Sequence, residues 1–448
     1  MSRFLNIRFL NKNAIQQASI TMVVDGNSLV IDPATNRKIA FTGPQNVSKT
    51  IPLSELPHGL DVHHAISLRF YVSLGSPALD ASAFNTWGAP SLTNTSDPNW
   101  NVRWDIFEVT VTPKAGDYGD LSTINGYAIP MMIDTFESQK PGAPGTGMST
   151  ARSYRVGNPY AALQTLMNAN SANNNYGGYP PLVPANGIVT NGGQFVRLIG
   201  PNNGGFSPTL AMGGPFPSFN GYLEKLKGIT TKFTDDGEVP GHTWNLTAGS
   251  TGSKMTLEGV IDGTDFAMQI DKDTNVGTST AMYTWSSMVY MAPGPGTGNP
   301  GLHFQLGKGK DKKSVTEAEI VTKFTTATVS QIYHDLFTAY SFGLVGNQQK
   351  VTGWSNQKYS ALSLNDMGSA GWRRLALDAV PSDQIPLFSK NMLGAGCHHE
   401  WAAKIYASSS SVYGFAYSDA LQHSIAQQSY QLGDKPVRSW LVTILPDP

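Results

Sequence analysis

The most restrictive feature of this sequence is the alternation of apolar and polar residues in two segments of its first third. In "AISLRFYVSLG" (65–75), every second residue is apolar, which predicts one buried face made of Ile66, Leu68, Phe70, Val72 and Leu74. In "WDIFEVTVTP" (104–113), one face carries Phe107, Val109 and Val111, and the other carries Trp104, Ile106, Glu108 and Thr110. A period of two is typical of a β-strand with one face in a core. Strands at this spacing, separated by turn-forming clusters, predict a β-sandwich.

Turn and linker signals bound the first part of the chain. "SITMVVDGNSLVI" (19–31) has two strand-like runs around Asp25-Gly26, a dipeptide that favours a hairpin turn. "SQKPGAPGTGMST" (138–150) is rich in glycine, proline and serine, as linkers are. We therefore assign residues 1–137 to the first part of the sandwich.

The middle of the chain mixes strand and helix patterns, and the end returns to strands. "VSQIYHDLFTAYSFG" (329–343) has helical spacing with Gly343 as its C-cap, and "SVTE" (314–317) has capping-box spacing. Strands are predicted in "SVYGFAYSDA" (411–420) and "SWLVTILPDP" (439–448). The prediction is thus a mixed α/β domain over 150–390, inserted into a sandwich that resumes over 391–448.

Composition and charge exclude several classes of function. Charged residues are 14% of the 448, against roughly 25% in average proteins, and 31 Lys+Arg nearly balance 32 Asp+Glu. A nucleic-acid-binding protein would normally carry a basic surplus, so no nucleic-acid partner is expected. No apolar run reaches the ~18 residues of a membrane-spanning helix, so no membrane partner is expected either. The start shows no signal peptide, which leaves an intracellular protein, export by another route, or a processed start.

Three carboxylates and one arginine are candidates for chemistry. Glu108 is a polar strand residue near Trp104, and Asp117 and Asp120 lie in the following "DYGDLSTINGYAIP" (117–130). Two neighbouring carboxyl groups, one protonated and one ionised, can act as general acid and general base in breaking a bond. The ordinary alternatives stay open: a solvent-facing strand glutamate, turn-forming aspartates, and an Arg69 in a surface ion pair.

Three segments together resemble a known family. "FEVTVTPKAGDYGDLSTINGYAIPM" resembles the acidic-cleft segment of thaumatin-like proteins, and "SLRFYVSLGSPAL" resembles their earlier strand with a cleft arginine. "EWAAKIYASSSSVYGFAYSDALQHS" is similar to a late segment of glycoside hydrolase family 64, the bacterial β-1,3-glucanases. The resemblance implies a thaumatin-like β-sandwich plus an α/β domain with a wide acidic groove between them. It also implies endo-hydrolysis of β-1,3-glucan with inversion.

Carried over to this chain, the resemblance implies Glu108 as the acid, Arg69 and Asp419 as cleft residues, and Asn125 at the usual base position. An asparagine cannot accept a proton from water at neutral pH, so Asp120 is the best replacement base. Residues predicted to contact the substrate are Arg69, Trp104, Asp117, Asn125, Tyr127 and Asp419. The late segment departs from the family pattern, with Ala416 in place of proline and Ser418 in place of aspartate.

No cofactor or metal is predicted. "CHHE" (397–400) places potential ligands side by side, where they cannot easily converge on one ion, and no second cluster has ligand spacing. The glycine-rich "GPGTGNPG" lacks the strand-to-helix setting of a phosphate loop. Aromatic residues in polar loops, such as Trp87, Tyr176 and Tyr179, are suited to stacking on sugar rings.

Two functional hypotheses follow. The first is an endo-β-1,3-glucanase with Glu108 as acid and Asp120 as base, whose partner is the β-1,3-glucan polysaccharide. The second is a glucan-binding or structural protein on the same scaffold, in which catalysis lapsed with the change to Asn125. The low charge and turn-rich surface also suit self-assembly, although no residue pattern supports it. Whether Glu108 and Asp120 face one groove discriminates between the two hypotheses.

Overall fold

The structure is a computed structural model of the chain. It describes residues 4–112, 118–136, 152–158, 163–168, 187–202, 216, 218–235, 237, 239–273, 285–296, 301–378, 380–388, 397–407, 414–418, 420–423 and 439–447.

Thirteen strands of the described residues form the sandwich. They are β1 (Leu5–Asn11), β2 (Ala18–Val23), β3 (Leu29–Asp32), β4 (Arg37–Lys38), β5 (Phe41–Thr42), β6 (Val47–Ser48), β7 (Ile51–Pro52), β8 (Leu60–Leu74), β9 (Arg103–Val111), β10 (Tyr118–Ser122), β12 (Met131–Phe136), β13 (Arg152–Asn158) and β22 (Ser439–Ile444), with β11 (Gly126–Tyr127) between β10 and β12 in the chain. One layer has the order β13-β12-β22-β1-β8-β3-β4, and the other contains β10-β9-β8-β2 followed by the short strands β5 to β7. The long strand β8 belongs to both layers.

The two layers pack through an aromatic cluster. The Phe70 and Phe107 rings from β8 and β9 are stacked with centroids 4.5 Å apart. Phe9 from β1, in the opposite layer, lies 6.1 Å from the Phe70 ring and 6.4 Å from the Phe107 ring. This packing confirms the predicted sandwich and the predicted core face of β9.

The predicted core face of β8 is wrong at one residue. Ile66 is 47% exposed, whereas its neighbour Ala65 is fully buried. The cause is a β-bulge between Ala65 and Leu68, in which Ser67 has a φ of 48°. An extra residue at a bulge reverses the alternation on its far side. Sequence periodicity cannot reveal such an insertion.

The predicted hairpin at Asp25-Gly26 is also wrong. Strands β2 and β3 do not pair with each other; both pair antiparallel with β8, β2 along its second half and β3 along its first. Gly26 does adopt the left-handed φ of 80° that a turn needs. The turn moves the chain from one layer to the other, opposite the bulge in β8.

The remaining strands and helices form the mixed α/β part. A small sheet has the order β11-β15-β14, with β14 at Ile188–Asn191 and β15 at Gln194–Ile199. A six-stranded antiparallel sheet contains β16 (Thr231–Thr234), β17 (Trp244–Ser250), β18 (Lys254–Ile261), β19 (Thr264–Asp271), β20 (Leu302–Leu306) and β21 (Lys313–Val315). The helices are α1 (163–168), α2 (Asn220–Lys225), α3 (Trp285–Met291), α4 (Glu317–Phe342), α5 (Leu364–Leu377), α6 (Glu400–Tyr406) and α7 (Ala420–His423).

In helix α4, the predicted C-cap is confirmed and the predicted position of the N-terminal capping box is wrong. Gly343 ends it with a left-handed φ of 72°, as predicted. The capping box, however, is formed by Thr316 and Glu319, because Ser314 still belongs to strand β21. The strand predicted over 411–420 is wrong for the described residues, since 414–418 form bends and turns and α7 begins at Ala420.

The sandwich and the mixed part share one connected apolar core. Trp401 of α6 is fully buried, and its indole N–H donates to the Thr123 carbonyl of the sandwich at 3.1 Å. The closing strand β22 lies inside its sheet, parallel to β1 and antiparallel to β12. Among the helices that the structure describes, none has the length and apolar character needed to cross a bilayer.

Candidate active site

The strand pairing brings three of the predicted site residues into one row. Arg69 of β8 is paired with Glu108 of β9, and Glu108 is paired with Asp120 of β10. On the other side of Arg69, the row continues with Val23 of β2. Directly paired residues point to the same face of a sheet. The face is the outer one, because Phe107 and Val109 on either side of Glu108 point into the sandwich core.

The spacing within this row follows from sheet geometry. Directly opposite residues of antiparallel strands have Cβ atoms about 5 Å apart. Glu108 and Asp120 are thus neighbouring carboxylates, and Arg69 is the neighbour of Glu108 on the far side. All three side chains are half-buried, so they are accessible to a ligand while partly shielded from bulk water.

Arg69 and Glu108 form the floor of an open groove of about 600 Å³. Its walls come from the turn after β2, the segment before β6 and the loop after β8. The residues that line it are Val24, Asp25, Gly26, Pro44, Gln45, Asn46, Ser67, Arg69, Thr86, Trp87, Gly88 and Glu108. Trp87 is 80% exposed, an unusual state for the largest apolar side chain. Such an indole beside amide side chains is suited to a sugar ring and its hydroxyls.

Arg69 connects two walls of the groove. One guanidinium nitrogen, Nη1, donates to the Trp87 carbonyl at 3.1 Å, and Nη2 lies 3.5 Å from the Asp25 carboxylate. Beneath it, Tyr71 is almost fully buried. Burial raises the pKa of the Tyr71 hydroxyl to about 12, the nearby Arg69 charge lowers it, and Glu108 raises it again. Tyr71, which lines the neighbouring small cavity rather than the groove, is therefore neutral at any ordinary pH.

Three predicted sugar contacts lie elsewhere. Trp104, Asn125 and Tyr127 line a separate cavity of about 50 Å³ between the sheet and β15. Trp104 is 6% exposed and Tyr127 is 1% exposed, because the loop after β8 and strand β15 cover this end of the face. Both are buried away from the groove, and their predicted contact with substrate stays a prediction. The Asn125 side-chain oxygen accepts from the Asn202 amide at 3.3 Å.

A buried carboxylate and a buried arginine fix this covered end. Asp105 accepts hydrogen bonds at 2.9 Å from the backbone N–H groups of Ile106, Ala128 and Ile129. Burial nevertheless raises its pKa to about 7. Arg197 of β15 donates to backbone carbonyls of the loop after β8, at 3.2 Å for Asn99. Burial lowers the pKa of Arg197 to about 10.

Sequence reasoning missed the residues that wall the groove. Asp25, Gln45 and Asn46 belong to turns with no chemical motif, and their only signal is polar side chains beside glycine or proline. Asp117 and Asp419 lie outside the described residues, so their predicted contacts stay predictions.

The "CHHE" segment has structural roles. His399 caps α6, where its Nδ1 accepts from the Ala402 N–H at 3.2 Å. Burial lowers the pKa of His399 to about 3, so the ring is neutral. His398 and Glu400 are buried, with 3.5 Å between His398 Nε2 and Glu400 Oε1. Within the described part of the chain, no three histidine, cysteine or carboxylate side chains converge on a metal position.

Comparison with known proteins agrees with this architecture. The family model of glycoside hydrolase family 64, described as β-1,3-glucanase, matches residues 9–225, which include every strand of the groove. A solved laminaripentaose-producing β-1,3-glucanase in complex with laminaritetraose is 13% identical, covers 100% of this chain and 99% of its own, and has a TM-score of 0.51.

A second such enzyme, from Paenibacillus barengoltzii and complexed with laminarihexaose, is 12% identical, covers 98% of this chain and 74% of its own, and has a TM-score of 0.42. A search of curated proteins gave no match. The first part of this chain is therefore similar to glycoside hydrolase family 64, and the whole chain shares the fold of a solved β-1,3-glucanase.

Proposed function

We propose that this protein hydrolyses β-1,3-glucan in the groove above β8 and β9, as an endo-acting, inverting enzyme. The observation that carries the proposal is the row formed by Arg69, Glu108 and Asp120 on an accessible sheet face. A surface ion pair would need only two of these residues. A third charged side chain in register is suited to acid–base work on a bound ligand.

Glu108 is the general acid in this proposal. It lies on the groove floor, where a glycosidic oxygen can approach it. Its neighbour Asp120 would carry a like charge about 5 Å away, which favours a proton on one of the two carboxyl groups, whereas the Arg69 charge on its other side favours an ionised Glu108. A protonated Glu108 beside an ionised Asp120 is the state that an acid catalyst requires. Activation of water falls to a second carboxylate, a role that the sequence analysis gave to Asp120.

The substrate class follows from the family and from the groove walls. The related structures were determined with laminari-oligosaccharides, which are β-1,3-linked glucose chains. Here the exposed Trp87 offers a stacking surface, and Gln45 and Asn46 offer amide groups for hydroxyls. The groove is open to solvent, so a polysaccharide chain has access to Glu108.

The test is release of reducing ends from a soluble β-1,3-glucan by the parent protein, Glu108→Gln and Asp120→Asn. Matched controls are Glu258→Gln and Asp265→Asn, which change strand carboxylates in the six-stranded sheet. Proton NMR of the first products reports the anomer, and their length distribution reports endo-cleavage. We expect release by the parent and by both controls, and a loss of about 10²–10⁴-fold in Glu108→Gln.

The same samples test the second hypothesis of a lapsed glucan-binding protein. Retention of the parent on insoluble β-1,3-glucan without any release of reducing ends would establish binding alone. Release that survives in Glu108→Gln would refute the assignment of the acid.

A further inference from the structure

We propose that Asp25, rather than Asp120, is the carboxylate that activates water in this groove. The inference rests on the proposed glucan hydrolysis and assigns the second catalytic role within it. Asp25 follows β2, and its sequence pattern indicated a turn rather than a catalytic role. In the described part of the chain, Asp25, Arg69 and Glu108 are the charged residues that line the groove.

The first argument is the separation of the carboxyl groups. Inverting hydrolysis places them roughly 6.5–9.5 Å apart, so that a water and the sugar fit between them. Asp120 is paired directly with Glu108, with Cβ atoms about 5 Å apart, and lies on the next strand outward from the groove. A sugar ring held against Glu108 by the groove walls would have Asp120 beside the acid instead of on its opposite face.

Asp25 lies on the other side of Glu108 at a larger distance. Two strand spacings of about 4.8 Å separate β2 from β9, with β8 between them. The backbones are therefore about 10 Å apart, and Asp25 is two residues beyond Val23, the β2 member of the row. Side chains that extend towards each other across this gap reach the separation that inversion needs.

The second argument is that Asp25 is held in place. Its backbone N–H donates to the Ile66 carbonyl at 3.3 Å, and the adjacent Val24 N–H donates to the Asn46 carbonyl at 3.3 Å. The Asp25 carboxylate pairs with Arg69 at 3.5 Å, and Arg69 is itself anchored on the Trp87 carbonyl. An isolated surface pair contributes little to stability. A pair at the wall of a groove, however, holds the carboxylate beside the other charged groups that line it.

The third argument is access to water. The Asp25 side chain is 64% exposed, whereas the Arg69 side chain is 22% exposed. A general base needs a water molecule within hydrogen-bonding distance while the sugar covers the acid. Asp25 is exposed at the mouth of the groove, where water can reach it. Glu108 lies on the floor of the groove, where the bound sugar would cover it.

The step balances without any other reactant. The water oxygen attacks the anomeric carbon as Asp25 takes one of its protons, and the bond to the glycosidic oxygen breaks as Glu108 donates its proton to that oxygen. The products are the inverted hemiacetal and a free hydroxyl. Exchange with solvent then removes the proton from Asp25 and returns one to Glu108. In this scheme Asp120 is a positioning residue that favours the protonated Glu108.

The test compares Asp25→Asn with Asp120→Asn on a soluble β-1,3-glucan from pH 4 to 9. We expect Asp25→Asn to lose about 10²–10⁴-fold in kcat, to remain bound by insoluble glucan, and to lose the acidic limb of its pH–rate profile, because asparagine does not titrate. Asp120→Asn should keep that limb. In Asp25→Ala, added sodium formate should restore part of kcat by supplying a carboxylate to the vacated space, which a structural defect would not allow.

The outcomes separate this inference from the proposed function. If the parent is active and Asp25→Asn stays within threefold of it with the acidic limb intact, Asp25 is not the base and glucan hydrolysis still holds. If Asp120→Asn loses the acidic limb instead, the base is Asp120. If the parent releases no reducing ends, both proposals are overturned together. Thermal melting of each variant shows whether a loss arises from unfolding.

Discussion

The buried carboxylate of Asp105 predicts an unusual dependence of stability on pH. The residue is 3% exposed and accepts three backbone hydrogen bonds, which favour its ionised form. Loss of hydration opposes them and dominates, because burial raises the pKa from 3.8 to about 7. The perturbation that isolates this effect is Asp105→Asn, which keeps the shape and removes the titration.

The sign and size follow from proton linkage. Between pH 4 and 7 the folded protein keeps a proton on Asp105 that the unfolded chain has released, so stability falls as pH rises through this interval. Each pH unit corresponds to about 1.4 kcal/mol, and the whole interval to about 4 kcal/mol. His399 has the opposite slope: its pKa is lowered to about 3, so its contribution to stability is lost as pH falls below 6.5.

Because the two slopes oppose each other, the assay is the difference between the parent and Asp105→Asn. Urea unfolding, followed by tryptophan fluorescence at four values from pH 4.5 to 7.5, gives the free energy of unfolding of each protein. We expect the free energy of unfolding of the parent, minus that of Asp105→Asn, to fall by about 3 kcal/mol over this range. The one hydrogen bond lost in the variant adds an offset to this difference that does not change with pH. A constant difference would refute the reasoning. A difference that grows with pH would mean that the backbone donors outweigh burial.

Three further predictions concern single sites. Gly119→Ala would place a Cβ 2.3 Å from the Glu108 carbonyl oxygen, so we expect about 1–3 kcal/mol of lost stability and reduced turnover, measured by urea unfolding and glucan assay. Arg373→Ala would leave the buried Asp335 without its ion-pair partner, at a cost of about 3–5 kcal/mol, and a cost below 1 kcal/mol would contradict this. Trp87→Ala should change stability by less than about 0.5 kcal/mol, because the side chain is 80% exposed, but should raise KM several-fold with kcat unchanged. An unchanged KM would remove Trp87 from the substrate surface.

The sandwich was predictable from local patterns, because half-buried strands impose a period of two on their own residues. The alternation around Phe107 gives the core face of β9 correctly. Alternation within each strand does not determine that Glu108 and Asp120 share one row. Their pairing also needs the register of β9 against β10. The resemblance to family 64 placed the two residues in one cleft, but the direct pairing is visible only in the structure.

Trp87 was identified from the sequence, but the polar wall residues Asp25, Gln45 and Asn46 could not be predicted, for a specific physical reason. Asp25-Gly26 has the composition of a hairpin turn, and the left-handed Gly26 satisfies that local requirement. Whether β2 and β3 then pair with each other or with β8 is decided by tertiary contacts far away in sequence. Likewise, alternation places Trp104 on the polar face of β9, yet it is buried, because other segments cover that end of the sheet.

The position of β22 has a consequence for how the protein is made. During synthesis, β1 and β12 are complete long before the strand that joins them, since β22 begins at Ser439 and pairs with both. Until then, each presents an unpaired backbone edge on the emerging polypeptide, which is the kind of edge that invites aggregation. Closure across more than 400 residues is also slow compared with local folding. We therefore expect the nascent chain to depend on ribosome-associated chaperones until β22 has left the exit tunnel.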